Sequence, residues 1–409
     1  MNETPRASLV TMMLTALTVA SAPTPAVAGD FGDDVAFLRQ HTPVVVLRDR
    51  AGLAQVALAP AWQGRVMTST AAGERGSSFG WINRDLIRSG QKQPHINVYG
   101  GEDRFWLGPE GGQYSIFFAP GAKFEDDDWY VPPALDTMPY SIVRQRPDRA
   151  TFAARFGLTN YSGARFDVRV NRDVRLLSPG AAWRALGIKA RPGVGIVAFE
   201  SDQRLTNAGP QPWRRETGLL SIWILGMFNA SADSTVVIPF ESGPEGPEDL
   251  KGARGPKVKD TYFGKVPADR LVVRDDVLFF RADARYRSKI GIPPARAKPI
   301  LGSYDAASRT LTLVRFTLPR RAADYVNSMW TLQADPFRGD VVNSYNDDGK
   351  LGAFFELETS SPALALRPGA SARHRHQTIH LQGPESDLDA IARATLGVPL
   401  EAIRNAFTP

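Results

Sequence analysis

The chain has 409 residues, 43% hydrophobic and 22% charged, with no cysteine, which excludes disulfides, thiolate metal sites and a cysteine nucleophile and leaves enough length for one large core or two ordinary ones. Its 36 glycines and 31 prolines argue against a helical bundle, whose element interiors exclude both, and favour many short strands and turns. The formal charge of +6 comes from basic residues scattered along the sequence without a Lys/Arg run, which gives no reason to expect nucleic acid.

Arg6 precedes an apolar stretch, Leu9 to Ala20, too short to span a bilayer, and Ala26-Val27-Ala28 supplies the small-x-small pattern of a signal-peptidase site. Residues 1–28 are therefore read as a signal peptide and 29–409 as a single domain, periplasmic or secreted. With no cysteine after the apolar stretch a lipoprotein anchor is excluded, and no later segment approaches the roughly 20 apolar residues of a membrane span.

Asp33 and Asp34 suggest the start of a short helix through His41, and Pro43 opens an extended run, Val44 to Leu47. Period-two alternation then predicts strands at 55–58, 114–118, 165–170, 194–199, 271–273 and 310–316. Turn signals at 207–210, 242–247 and 347–349 separate such runs as in an antiparallel sandwich. The glycine-rich 241–259 stretch reads as a long loop. Ser386 with Asp389 starts a helix over Leu388–Leu396 that Gly397 closes, and Pro399 opens a last one through Phe407. The expected fold class is all-β, a large antiparallel sandwich with short C-terminal helices.

Three stretches could carry chemistry. The first, His95 to Tyr114, crowds Glu102, Arg104 and Trp106 between the glycine pairs 100–101 and 111–112. An indole face, carboxylates and a guanidinium suit a sugar, and a tight turn beside core aromatics is the alternative. In the second, strand alternation over 354–358 puts Phe354, Glu356 and Glu358 on one face and Phe355 and Leu357 on the other. A carboxylate between phenylalanines loses hydration, which raises its pKa towards that of a general base; the alternative is an edge strand with solvated glutamates. The third holds His374, His376 and His380, which share a face if they lie on a strand, either as a polar, hydrogen-bonding surface or as a His-x-His metal pair.

These residues together resemble the aldose 1-epimerase (galactose mutarotase) superfamily. Gly80-Trp81-Ile82-Asn83-Arg84 is similar to its Gly-x-x-x-Asn-Arg substrate segment, Gly100-Gly101 with Trp106 to its Gly-Gly block, and Arg204-Leu205-Thr206-Asn207 to its mid-chain strand. The resemblance implies a β-supersandwich with a carbohydrate cleft on a concave sheet. It implies a general base in a late strand ahead of Leu366-Arg367-Pro368-Gly369, a place that Glu356 or Glu358 can fill, with Glu356 preferred for its two phenylalanines. Members take their general acid from a mid-chain histidine, but here no histidine lies between His95 and His374. Either His95 or His376 then serves as acid, or sugar binding stands without ring opening.

The expectation is an exported protein binding a mono- or oligosaccharide through Asn83, Arg84, Glu102, Arg104, Trp106 and Asn346, with isomerase chemistry at the anomeric centre by Glu356 and His376 or His95. No metal, other cofactor or nucleic-acid partner is assigned. The alternatives are a non-catalytic carbohydrate-binding protein and a polysaccharide lyase or glycoside hydrolase using the same cleft.

Overall fold

The computed structural model describes residues 29–245, 255–321 and 323–408; the predicted signal peptide lies outside them. The first helix, Phe31–His41, begins earlier than expected because Asp30, not Asp33 or Asp34, accepts the backbone N–H of Asp33 at 2.8 Å. Strands then dominate and pair antiparallel throughout the three sheets. The fold is all-β, as its turn-rich composition predicts.

The largest sheet has ten strands, in the order Leu271–Val273, Val277–Arg281, Ser234–Pro239, Ile300–Asp305, Thr310–Phe316, Ser371–Gln382, Gly195–Asn207, Arg165–Leu176, Arg149–Thr159, Ser141–Arg146. A five-stranded sheet runs Ser288–Ile292, Val342–Asn346, Phe354–Ser360, Ser221–Asn229, Arg104–Gly108. Val45–Arg48, Gln55–Ala59 and Arg65–Thr70 form a third, linked to the second by a bridge from Val66 to Asp103.

The two larger sheets pack face to face. Phe105, Leu107, Ile222 and Ile224 of the five-stranded sheet meet Phe152, Val168, Val170 and Leu205 of the ten-stranded one, and Phe228, Phe355 and Leu357 meet Ile238, Phe280 and Val314. Each such side chain contributes about 1.5–3 kcal/mol by leaving water. This layer also buries an ion pair. Arg172 and Asp103, both without exposed surface, bond at 2.7 Å, and Ser201 Oγ donates to the other Asp103 oxygen at 2.5 Å.

The C-terminal helices, Glu385–Leu396 and Leu400–Arg404, lay Leu388, Ile391, Leu396 and Ile403 on Ile379, Leu381, Leu311 and Leu313, on the outer side of the ten-stranded sheet. The first is not started by the predicted box, since it begins at Glu385 behind Pro384 with no side-chain cap, and Asp389 accepts from Arg393 and from the backbone of Leu400, tying the two helices together; Gly397 ends it in the left-handed conformation, as expected. The 114–118 run is not a strand. Its backbone turns after Gly111 and Gly112 while Ile116, Phe117 and Phe118 still fill core, so the alternation reflects burial without a ladder. Arg296, fully buried, holds the described ends of the glycine-rich loop by donating to the carbonyls of Glu241, Gly243, Pro244 and Gly255.

Candidate active site

The strand Phe354–Ser360 lies in the middle of its sheet, between Val342–Asn346 and Ser221–Asn229, so the solvated edge weighed from the sequence is not what forms. Its alternation divides two environments. Phe355, Leu357 and Thr359 point between the sheets, and Glu356 and Glu358 point to the other face. On that face Glu358 stands in a row with Asn343, Leu225 and Arg104, and Glu356 in the next row with Tyr345, Lys289 and Met227. Long side chains reach diagonally between rows. Arg104 Nη2 donates to Glu356 at 3.2 Å, and Lys289 Nζ donates to Glu358 at 3.1 Å. Trp223 Nε1 donates to the same Glu358 oxygen at 2.9 Å. Two indoles back the cations, with Arg104 over Trp106 at 4.2 Å and Lys289 over Trp223 at 4.6 Å.

No member of this cluster is more than 9% exposed. Burial pushes the Glu356 carboxyl up to about 8, against the pull of Arg104, and the neighbouring Glu358 adds to the rise. Burial also raises Glu110, which feels the charges of Lys289 and Glu358 and whose carboxyl makes no hydrogen bond to the described residues. Burial alone would lower Lys289, but Glu358, Glu110 and Glu356 together hold it above the ordinary lysine value. Three buried polar atoms here have no hydrogen-bond partner: Arg104 Nε and Nη1, and Glu358 Oε1. Such atoms are costly unless something polar meets them.

Aromatic side chains roof the cluster. Trp129 lies 6.3 Å from Trp106 and stacks on Trp330 at 5.7 Å, and Phe263 meets Tyr345 at 6.1 Å and Trp330 at 6.3 Å. Beneath, a cavity of about 10 Å³ bordered by Trp223, Tyr262 and Asn343 has room for one water.

A family model described as a family of unknown function, DUF6786, matches residues 29–407. The chain belongs to the DUF6786 family. No curated protein matches the sequence. Among solved structures, the DUF6786 chain is similar to a protein of Synechocystis sp. PCC 6803, with 14% identity, a TM-score of 0.49, and coverage of 84% of this chain and 96% of that one. It is similar to an Escherichia coli K12 protein described provisionally as an aldose 1-epimerase, at 11% identity and a TM-score of 0.48, covering 84% and 99%. A galactose mutarotase-like protein of Lactobacillus casei ATCC 334 matches at 10% identity and a TM-score of 0.47, covering 83% and 100%. The last two carry the names of the group that the sequence resembles; at these identities they say nothing of activity.

Of the residues singled out in this DUF6786 sequence, Glu356, Arg104 and Trp106 meet on the face just described, though the Trp106 indole N–H is committed to the Leu135 carbonyl at 3.1 Å. The others lie elsewhere. Asn83 caps the helix Arg84–Ser89 by accepting from Leu86, and Arg84 pairs with Asp34 at 2.5 Å over the Phe37 ring. Glu102 points between the sheets, 2.6 Å from His380 Nε2, and accepts from Ser69 Oγ at 3.1 Å. Asn346 pairs with Phe355 and so faces away from Glu356; it accepts from the Ala284 backbone and donates to the carbonyls of Tyr286 and Asp347.

The histidines share an inward face, as alternation predicts, but it is the wrong face for acid catalysis beside Glu356. His374 Nε2 and His376 Nδ1 both lie 2.9 Å from Thr359 Oγ1, in the layer between the sheets. Burial lowers them to about 3 and about 4, so both rings stay neutral and neither can give a proton near neutrality. His95 is half-buried on a loop, 2.7 Å from the Trp129 carbonyl and stacked on Tyr130, and no bond joins it to Glu356. Sequence reasoning missed Lys289, Glu110 and Trp223. Glu110 stood inside the glycine-rich block and was readable there; Lys289 and Trp223 carried no local signal, because only strand register brings them to Glu358.

Proposed function

We propose that the protein is exported and binds a sugar against Arg104, Glu356, Glu358 and Lys289, with aldose 1-epimerase-like acid–base chemistry at the anomeric centre. The observation that carries the reading is the set of unpartnered atoms, Arg104 Nε and Nη1 and Glu358 Oε1, beside two shifted carboxyls in a tryptophan-walled site. Sugar hydroxyls both donate and accept, so they match guanidinium donors and a carboxylate acceptor together. In the reaction Glu356, when ionised, takes the anomeric O1 proton as the C1–O5 bond breaks, and the Glu110 carboxyl gives a proton to O5. Rotation of the aldehyde and closure on its other face reverse both transfers. Glu110 thereby takes the part that a histidine plays in the resembled family. Access requires the Phe263 and Trp330 loops to part.

Polarimetry on fresh α-glucose and α-galactose tests the reading. The rate should rise with pH towards about 8 as Glu356 ionises, and fall by about 10²–10⁴ in Glu356→Gln and in Glu110→Gln, the span of general acid–base catalysis. A rate equal to the uncatalysed one with every aldose tried refutes the epimerase reading. A second reading, sugar binding without catalysis, is favoured by the cluster's lack of a bonded histidine. It predicts calorimetric binding that survives Glu356→Gln and no acceleration of mutarotation.

A further inference from the structure

The outer side of the ten-stranded sheet has two halves. The C-terminal helices cover one. The other, built from Ser141–Arg146, Arg149–Thr159, Arg165–Leu176 and the facing parts of Gly195–Asn207 and Ser371–Gln382, is bare. Alternation sends Val168, Val170 and Val174 inward and Arg169, Asp173 and Arg175 outward.

Register then sets like charges side by side. Arg146 pairs with Arg149, which pairs with Arg175; Arg155 pairs with Arg169, and Arg204 with Arg373. Like charges directly opposite one another work against sheet formation. The face carries some carboxylates. Asp173 takes Arg149 at 2.7 Å, Asp202 serves both Arg373 at 2.5 Å and Arg375 at 3.2 Å, and Glu200 takes Arg175 at 3.2 Å. Arg169 and Arg204 are exposed and have no ion-pair partner among the described residues, and the same holds for Arg144 and Arg165. Positive charge that looks scattered in the sequence is thus gathered by the fold on one surface.

We propose that this surface binds an extended acidic glycan, a polymer bearing carboxylate or sulfate groups. The outward cations of these rows are all arginines, whose planar forks match such oxyanions with two parallel hydrogen bonds. Neighbouring strands are about 4.8 Å apart, so five of them offer a ladder of cations about 20 Å long to a chain lying across them. Apart from the exposed Ile142 and Val143 of the edge strand, the outward positions between the arginines, such as Thr151, Ala153, Gly157 and Asn171, hold no aromatic ring for stacking a nucleobase and no large apolar group for entering a bilayer. The inference does not depend on the Glu356 site.

The test measures binding of the protein to polygalacturonate and to heparin, with neutral dextran as control, at low and at raised sodium chloride. Arg169→Glu/Arg204→Glu changes two exposed, unpaired residues, and Arg320→Glu/Arg321→Glu makes the same charge change elsewhere. Salt-sensitive binding to at least one acidic polymer and not to dextran, weakened tenfold or more by the first double variant and not by the second, is the expected result. No binding to either acidic polymer, or equal loss in both variants, overturns the proposal. Duplex DNA or anionic phosphatidylserine vesicles held as tightly as the acidic glycan would overturn it too, in favour of a nucleic acid or a membrane surface.

Discussion

Glu356 gives a stability prediction that does not depend on any substrate. An unfolded glutamate titrates near 4.5, whereas burial raises the folded carboxyl to about 8. Between these values the folded state holds a proton that the unfolded state has lost, so stability falls as pH rises through this window and levels off above it. The full effect, at about 1.4 kcal/mol per pH unit, is about 5 kcal/mol between pH 4 and pH 9. Other groups titrate over the same range, so the useful quantity is the difference between the wild type and Glu356→Gln. Glutamine keeps an oxygen to accept from Arg104 and cannot ionise. Urea unfolding of both proteins at pH 5, 7 and 9 should show the variant gaining on the wild type as pH rises, by several kcal/mol over the series. A difference that stays constant would refute the reasoning, because it would mean that Arg104, at 3.2 Å, keeps the carboxylate ionised throughout.

Three further outcomes follow from the packing. Arg172→Met leaves Asp103 without its cation and without exposed surface and should cost about 3–5 kcal/mol in chemical unfolding, with part recovered in Asp103→Leu/Arg172→Met. Thr359→Val removes the hydroxyl shared by His374 and His376, costing about 1–3 kcal/mol for each ring nitrogen left alone, seen as a lower Tm; His376→Asn should likewise lower Tm while leaving sugar binding in place. Phe263→Ala takes away a ring that covers Tyr345 and Trp330 and should raise acrylamide quenching of tryptophan fluorescence; unchanged quenching would show that the ring is not part of the cover.

The strand Phe354–Ser360 shows what was readable in the sequence and what was not. Its period of two was plain, and so was the division of Glu356 and Glu358 from Phe355 and Leu357, because alternation is a local property of extended backbone. Whether the glutamates met water was not readable, since that depends on whether the strand sits at an edge or in the middle, and partners far away in sequence decide it. The same limit applies to the histidines. Their common face was legible from spacing, but that it points between the sheets depends on the pairing of Ser371–Gln382 with Thr310–Phe316 and Gly195–Asn207. Asn83 and Arg84 matched a sugar-binding segment by residue type, yet an asparagine ahead of a helical turn is also a good cap, and here the cap is what forms.

Buried polar groups occupy both faces of the five-stranded sheet, in different company. Between the sheets Arg172 bonds Asp103, Glu102 bonds His380, and His374 and His376 bond Thr359, while Arg172 Nη1, Glu102 Oε1 and His376 Nε2 stay without a partner. On the opposite face of the five-stranded sheet the charges are just as deeply buried, Arg104 and Glu358 too retain unpartnered atoms, and Glu356 is pushed towards neutrality. What sets this face apart is the company of these atoms: the carboxyls of Glu356 and Glu110 are raised, Lys289 is held charged among three glutamates, and aromatic loops cover them in place of a second sheet. For this reason Lys289, with no motif to announce it, is a stronger candidate for function than Glu102, which the glycine-rich block brought forward.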